Sequence, residues 1–166
     1  MRRFALLLLL FAFISGTARA DFNDGVVALM MGKYEQALQT FVPLAETSDH
    51  AFAQYFLGRM YAAGQGVEKS AETAAGWYRK AAEKGVADAQ VRLAEMYENG
   101  NGVPADMEYA YGWYSVAAHL GNPKGNEGQE RAMGALSATE RVEAEKLARE
   151  FIKQYGNVPK STARQK

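Results

Sequence analysis

Metal or thiol chemistry in a protein usually needs histidine or cysteine side chains. This 166-residue chain contains two histidines and no cysteine. His50 and His119 match neither the HxxxH nor the HExxH spacing that places two imidazoles on one metal ion. Without cysteine, thiolate catalysis and Cys-ligated zinc are excluded. The sequence also shows no Ser-His-Asp order and no distinct pair of catalytic carboxylates. It therefore predicts structural or solvent-facing histidines, no metal site and no cofactor.

Two Gly-x-Gly segments, Gly64–Gly66 and Gly100–Gly102, have the composition of phosphate-binding loops. A P-loop continues into Gly-Lys-Ser/Thr, and a dinucleotide fingerprint follows a strand. Neither condition is met here, so we interpret both segments as turns.

Six aromatic side chains have the composition of stacking platforms for sugars or bases. They recur at helical spacing together with alanines, which favours packing in a core over stacking on a ligand. The six are Trp77, Trp113, Tyr61, Tyr97, Tyr78 and Tyr114.

An internal repeat determines the elements that carry these residues. When residues 51–86 are placed over residues 87–122, 17 of the 36 positions are identical. Average composition would give about two identities, so the segment is duplicated. A duplicated unit of this length is typical of helical-repeat proteins.

Each unit has the pattern of two helices. In the first unit, Leu57 and Tyr61 recur on one face of the first helix. Gly64 is able to end that helix in the left-handed conformation. Ser70 and its counterpart Asp106 are suitable N-caps for the second helix.

Both flanks continue this plan. Residues 22–48 fit a hairpin with a shorter turn, and residues 123–155 fit two terminal helices, the last opening with a Ser137–Glu140 capping box. The sequence therefore predicts an all-α fold, a right-handed α-solenoid of helical hairpins with a C-terminal capping helix. We expect the solenoid to span residues 21–158 and a basic, disordered tail to follow at 159–166.

The first 20 residues have the organisation of a secretory signal peptide. Arg2 and Arg3 precede an apolar run of 11 residues, and Ala18 and Ala20 supply the small side chains that signal peptidase recognises. At about 1.5 Å per residue this run covers about half of a ~30 Å hydrocarbon core. We expect an exported protein, periplasmic or secreted, with no stable membrane insertion after cleavage.

The charge of the mature chain argues against a nucleic-acid partner. Cleavage after Ala20 removes three of the 19 basic side chains and no acid, which leaves 16 basic against 19 acidic groups. A body with this net negative charge has no general electrostatic attraction for phosphate backbones.

The conserved spacing within the repeat resembles the motif of Sel1-like repeats, a subclass of the tetratricopeptide-type solenoids. That motif runs A-x-x-x-L-G-x-x-Y-x-x-G-x-G-V and continues with A-x-x-W-Y-x-x-A-A-x-x-G. It occurs here at Ala53, Leu57, Gly58, Tyr61, Gly64, Gly66, Val67, Ala74, Trp77, Tyr78, Ala81, Ala82 and Gly85. It recurs at Ala89, Leu93, Ala94, Tyr97, Gly100, Gly102, Val103, Ala110, Trp113, Tyr114, Ala117, Ala118 and Gly121, with Ala94 as a departure from glycine.

The resemblance implies that the first helix of each hairpin lines a concave face. An aromatic pair beside an arginine, as in Phe52, Tyr55 and Arg59, has the composition of an interface anchor. Neighbouring hairpins or the N-terminal helix would cover these side chains under the alternative interpretation. The predicted partner-binding residues are Phe52, Tyr55, Arg59, Asp88, Val91, Glu95 and Glu98.

The expected function is that of a non-catalytic interaction scaffold or adaptor in the cell envelope, with another protein or a peptide bound on the concave face. The alternative is a weak hydrolase of cell-wall or β-lactam compounds, an activity that the resemblance implies through cysteine-rich relatives. The lack of cysteine in this chain puts that activity in doubt. A third hypothesis is a chaperone-like lid on an envelope enzyme.

Cleavage of the signal peptide predicts a defined mature N-terminus. The exported protein should begin at Asp21, and intact-mass measurement or Edman sequencing checks this. A protein that retains the apolar run and sediments with the membrane fraction would contradict the signal-peptide prediction.

Overall fold

The computed structural model describes residues 21–157, and this part of the chain forms eight α-helices and no strand. The all-α repeat fold predicted from the sequence is confirmed. The predicted signal peptide with Ala18 and Ala20, and the predicted tail at 159–166, lie outside the described residues. The helices are α1 (Phe22–Met30), α2 (Tyr34–Glu46), α3 (Ala51–Ala63), α4 (Ala71–Glu83), α5 (Ala87–Asn99), α6 (Met107–His119), α7 (Pro123–Ala135) and α8 (Ala138–Tyr155).

Side-chain caps set the starts of several helices. Ser70 and Asp106 accept hydrogen bonds from the backbone N–H of the third residue of α4 and α6, as the sequence predicts. Ser137 and Glu140 form the predicted capping box of α8. His50 has the same role at α3, because its Nδ1 accepts a hydrogen bond from the Ala53 N–H at 3.2 Å.

Glycines end α3 and α5 and turn the chain toward the next helix. Gly64 and Gly100 have φ angles of 71° and 63°, in the left-handed region that strains other residues. Each cap N–H bonds to the carbonyl of a methionine four residues earlier in its helix. Both Gly-x-Gly segments are therefore turns, as predicted.

Small residues bring the helices close together. A Cβ added to Gly58 of α3 would lie 2.6 Å from Cδ1 of Tyr78 on α4, and one at Gly128 of α7 would overlap the ring of Tyr114 on α6. Alanines such as Ala53 and Ala89 are fully buried. The tyrosine rings fill the space that these small residues leave, which explains the mixture of small and large residues in the repeat.

A buried glutamine joins each repeat to the helix before it. Gln54 Nε2 donates to the Ala45 carbonyl of α2 at 3.2 Å, and Gln90 Nε2 donates to the Ala82 carbonyl of α4 at 3.0 Å. Both carbonyls lie in the last turn of their helix, where no partner exists within the helix. The two glutamines occupy equivalent positions, 36 residues apart, so the same junction is built twice.

The last helix covers α6. In α8, Tyr155 stacks on Trp113 with ring centroids 5.0 Å apart, and Phe151 lies 5.0 Å from the same ring. Gly112 allows this approach, because a Cβ there would lie 3.0 Å from the Phe151 ring. Between residues 21 and 157, no helix combines the length and the apolar composition that a bilayer crossing needs.

The aromatic residues of the repeat are core residues to different degrees. Tyr78, Trp113 and Tyr114 are at most 4% exposed. Trp77 is only partly buried, and Lys80 Nζ lies 4.3 Å from its ring centroid. The two tryptophans share a repeat position but not an environment, because α8 covers α6 and leaves the corresponding part of α4 open.

This difference predicts unequal costs of removing the two tryptophans. Trp113→Ala should lower the free energy of unfolding by about 3–5 kcal/mol, because it empties a filled core position. Trp77→Ala should cost about 1–2 kcal/mol, because solvent already reaches part of that ring. Urea denaturation followed by circular dichroism measures both variants. Equal costs would show that α8 does not pack on α6 in solution.

Candidate partner-binding groove

An open groove of about 430 Å³ lies between α3 and α5, with α4 at its base. Leu57 and Leu93 lie on the buried faces of α3 and α5, so the opposite faces of these two helices present polar residues to the groove. We call it the α3–α5 groove. It is lined by Arg59, Ala62, Ala63, Tyr78, Arg92, Glu95, Met96, Asn99 and Asn101.

Arg59 provides a cation on the α3 side of the groove. Its guanidinium carbon lies 5.4 Å from the Phe56 ring centroid and 5.9 Å from that of Tyr55. Both distances are within the range of a cation–π contact. Arg59 is exposed, and no carboxylate in residues 21–157 lies within ion-pair distance of it. Its charge therefore remains available to a bound molecule.

The α5 side of the groove contains an ion pair. Arg92 Nη1 donates to Glu95 Oε2 at 2.9 Å, one turn further along the same helix. Both side chains are more than a third exposed, so solvent screens the pair and it contributes little to stability. A bound partner is therefore able to compete for either group.

Tyr78 forms the base of the groove. Its side chain is 4% exposed, and burial raises the pKa of its hydroxyl to about 12, so the group is protonated at neutral pH and able to donate a hydrogen bond. Arg92 and Arg59 lie near enough to oppose this rise in pKa.

The equivalent place in the next repeat is closed by an ion pair between helices. Arg131 of α7 donates to both carboxylate oxygens of Glu98 on α5, at 2.7 and 2.9 Å. The Tyr114 hydroxyl donates to the same carboxylate at 2.6 Å. The hydrogen bond from Arg131, and then that from Tyr114, lower the pKa of Glu98 against the opposing effect of burial.

The structure brings together only some of the predicted partner-binding residues. Arg59 and Glu95 face each other across the α3–α5 groove. Tyr55 is partly buried beside them, with its ring 5.5 Å from Phe56 and 6.0 Å from Tyr78. Phe52 is 47% exposed but lies next to the Phe22 ring, 6.4 Å away, outside the groove.

The assignment of Val91 to the outward surface is wrong. Its side chain is 3% exposed and belongs to the core cluster of α4–α8. Two other predicted residues have internal partners: Asp88 accepts a hydrogen bond from Asn122 at 2.9 Å, and Glu98 is held by Arg131. The sequence therefore predicted the outward face of α5 about one residue away from its actual position at the start of the helix.

Sequence reasoning missed four polar residues of the groove: Tyr78, Arg92, Asn99 and Asn101. Arg92 and Asn99 lie on the exposed side of α5, one turn before and one turn after the predicted Glu95. Tyr78 was assigned to the core, where its ring does lie, but the same side chain also lines the groove. A helical-wheel count extended from Glu95 could have found Arg92 and Asn99, whereas no sequence signal indicates the position of the Tyr78 side chain.

A second concavity of about 560 Å³ lies between α4, α6 and α8 and is mainly aromatic. Tyr97 receives a 2.6 Å hydrogen bond from Arg79 there, and Tyr109 packs edge-on against Phe151 at 5.5 Å. No group of histidine and carboxylate side chains in the described residues is arranged to hold a metal ion. Neither histidine lines this concavity or the α3–α5 groove.

Comparison with known proteins places these hairpins in a family. Residues 51–86 and 87–122 each match the Sel1 repeat. The structure of a protective antigen present in uropathogenic Escherichia coli strains, displaying an SLR fold, superposes with a TM-score of 0.77 and 32% identity over 81% of this chain and 30% of that one. A Sel1 repeat protein from Oxalobacter formigenes gives 0.64 and 31% over 79% of this chain and 56% of that one. No curated protein matches the sequence.

The repeats and the helical hairpins together define the class, an all-α repeat protein. Within that class, residues 51–122 of the chain are two Sel1 repeats, as the motif predicts, and both solved relatives are Sel1-repeat or SLR-fold proteins. Sel1-repeat proteins generally mediate protein–protein interactions, and the fold is typically a non-catalytic scaffold. The chain spans 30% and 56% of the two solved relatives, so the roles of those whole proteins are not assigned to it.

The Glu98 ion pair predicts a loss of stability in acid. The folded-state pKa of Glu98 is below its ordinary value of 4.5, so the unfolded state binds more protons as the pH falls below that value. The contribution of ionised Glu98 to the free energy of unfolding is present above pH 4.5 and is lost as the pH falls through the folded-state pKa. Glu98→Gln should therefore flatten the decline in unfolding free energy as the pH falls below 4.5.

The matched control for this measurement is Glu145→Gln. Glu145 lies 3.8 Å from Arg149 in an exposed pair on α8, and its replacement should leave the pH profile unchanged. Urea denaturation at each pH gives the profile. If Glu98→Gln and the unchanged protein decline in parallel, the Glu98–Arg131 pair does not form in solution.

Proposed function

We propose that this protein is a non-catalytic scaffold in the cell envelope that binds a peptide or protein partner in the α3–α5 groove. The observation that carries this proposal is the groove itself, which is open, has a polar rim and contains Arg59, an arginine with no ion pair among residues 21–157. The envelope location rests on the predicted signal peptide.

The groove has the features of a peptide-binding surface rather than of a catalytic pocket. Tyr78 and Met96 supply an apolar base, while Arg59, Glu95 and Asn99 supply donors and acceptors at the rim. An aromatic and apolar centre with a polar rim is the usual anatomy of a protein interface. No histidine lines the groove to act as the general base of a hydrolase, and His50 instead caps α3.

Small side chains keep the groove open. Ala62 and Ala63 stand at the positions that Glu98 and Asn99 occupy one repeat later. In the later repeat the Glu98 side chain bridges α5 to α7, whereas α3 has no side chain long enough to bridge to α5 at that position.

The proposal predicts that one charge reversal in the groove separates binding from folding. Arg59→Glu should abolish capture of the partner from an envelope extract, because it places a carboxylate beside Glu95 and removes the free cation. Helical content and the melting temperature should stay nearly unchanged, because Arg59 is exposed. A purified, affinity-tagged mature chain used as bait measures capture, and circular dichroism measures folding.

The matched control is Lys80→Glu, which reverses an exposed positive charge over the Trp77 ring on α4, outside the groove. It should leave capture intact. If Lys80→Glu loses the partner and Arg59→Glu retains it, the partner binds the surface formed by the second helix of each hairpin. The groove proposal is then wrong.

A further inference from the structure

The two full repeats differ at one chemically informative place. In the second repeat, the Glu98 carboxylate lies between the Tyr114 hydroxyl and the Arg131 guanidinium and accepts hydrogen bonds from both. The residues 36 positions earlier are Ala62, Tyr78 and Glu95. The tyrosine is kept, whereas the carboxylate that it would bond to is replaced by a methyl group and the arginine by a second acid, Glu95.

The first repeat therefore contains the donor without its acceptor. Tyr78 is 4% exposed as a residue and lines the α3–α5 groove, and its hydroxyl takes part in no side-chain hydrogen bond within residues 21–157. Its counterpart Tyr114 is 1% exposed and has two partners, Glu98 and Arg131. A hydroxyl that reaches a groove and has no partner within the described residues is a site at which a bound acceptor gains a hydrogen bond in place of solvent.

Arginines stand in the groove where they can complete such a site. Arg59 projects from α3 and Arg92 from α5, and both lie close enough to the Tyr78 hydroxyl to act on it electrostatically. Glu95 is the one acid in the lining, and Arg92 already holds it. The charged side chains of the lining therefore sum to one net positive charge, two arginines against one glutamate.

We propose that the α3–α5 groove is a receptor site for a carboxylate, an aspartate or glutamate side chain of the partner that takes the place filled by Glu98 in the next repeat. This inference rests on the proposed function and specifies the chemistry of the partner. The Tyr78 hydroxyl and the guanidinium groups of Arg59 and Arg92 donate to the incoming carboxylate. The internal Glu98–Tyr114–Arg131 arrangement shows that the equivalent elements of the next repeat accommodate a carboxylate beside a tyrosine hydroxyl. Because Glu95 stands where Arg131 stands there, Arg59 and Arg92 supply the cations in the α3–α5 groove.

The first test uses a small carboxylate probe and its neutral match. N-acetyl-glutamate N-methylamide, titrated into the mature protein, should shift the NMR signals of the Arg59 and Arg92 side-chain Nε–H groups in a saturable way. N-acetyl-glutamine N-methylamide, which has the same shape without the charge, should bind at least about tenfold more weakly. Equal binding of the two probes, or no saturable shift with either of them, overturns the proposal.

Two tyrosine variants locate the site. Tyr78→Phe keeps the ring in the core and removes only the donor, so it should weaken the glutamate probe about tenfold. Tyr97→Phe makes the same change in the aromatic concavity on the other side of α5, where the hydroxyl bonds to Arg79, and should leave the probe's affinity unchanged. Unchanged affinity in Tyr78→Phe overturns the proposal.

A third variant restores the missing acceptor inside the chain. Ala62→Glu should fill the site from within, prevent binding of the glutamate probe and raise the melting temperature above that of Ala62→Gln, which has the same size without the charge. The difference in melting temperature should shrink as the pH falls below about 4.5, because the new carboxylate then becomes protonated in the unfolded state first. Equal melting temperatures of the two variants at about pH 7 overturn the proposal.

These outcomes are distinct from those of the capture experiment. If the probes show no preference for the carboxylate while Arg59→Glu still abolishes capture, the groove binds its partner through other chemistry and only the present inference fails. If Arg59→Glu retains the partner, the proposed function itself is wrong, whatever the probes show.

Discussion

The junction between successive hairpins is the constraint on which the rest of this structure depends. Each first helix places small residues against the helix before it, and a buried glutamine, Gln54 or Gln90, bonds to a carbonyl in the last turn of that preceding helix. Only alanine and glycine allow backbones to approach so closely. Because the junction occurs twice with the same residues, the first helices form one row and the second helices another. The row to which a residue belongs then decides which surface it reaches.

The positions that are identical between the repeats fix the packing of the helices. The chemical character of each groove is set by the positions that differ between the repeats. Arg59, Glu95 and Arg131 occupy the same position on α3, α5 and α7, and their charges alternate. Where Glu98 is added, the space between α5 and α7 is closed by a hydrogen-bonded ion pair. Where Ala62 stands instead, the space between α3 and α5 stays open. The identical positions thus determine the fold, and the differing positions determine what it is able to bind.

The same division explains what the sequence could and could not predict. The helices and the caps at Ser70 and Ser137 follow from local patterns, because hydrophobic period and capping chemistry involve neighbours in sequence. The different exposure of Trp77 and Trp113 depends on α8, which lies far along the chain and packs on only one of the two equivalent helices. Val91 was misplaced because α5 is buried on more of its circumference than α3: α5 packs against α4, α6 and α7, whereas α3 packs mainly against α2 and α4.

The position of the groove within the core gives binding a structural consequence. The buried residues form two clusters, one built from α1, α2 and α3 around Phe41 and Leu57, the other from α4 to α8 around Leu93 and Tyr114. The α3–α5 groove lies along the line where these clusters meet, since Arg59 belongs to a helix of the first and Glu95 to a helix of the second. A segment bound across the groove contacts both sides of this line. A ligand that binds only the folded arrangement stabilises it by mass action, so a partner bound here strengthens the join between the two clusters.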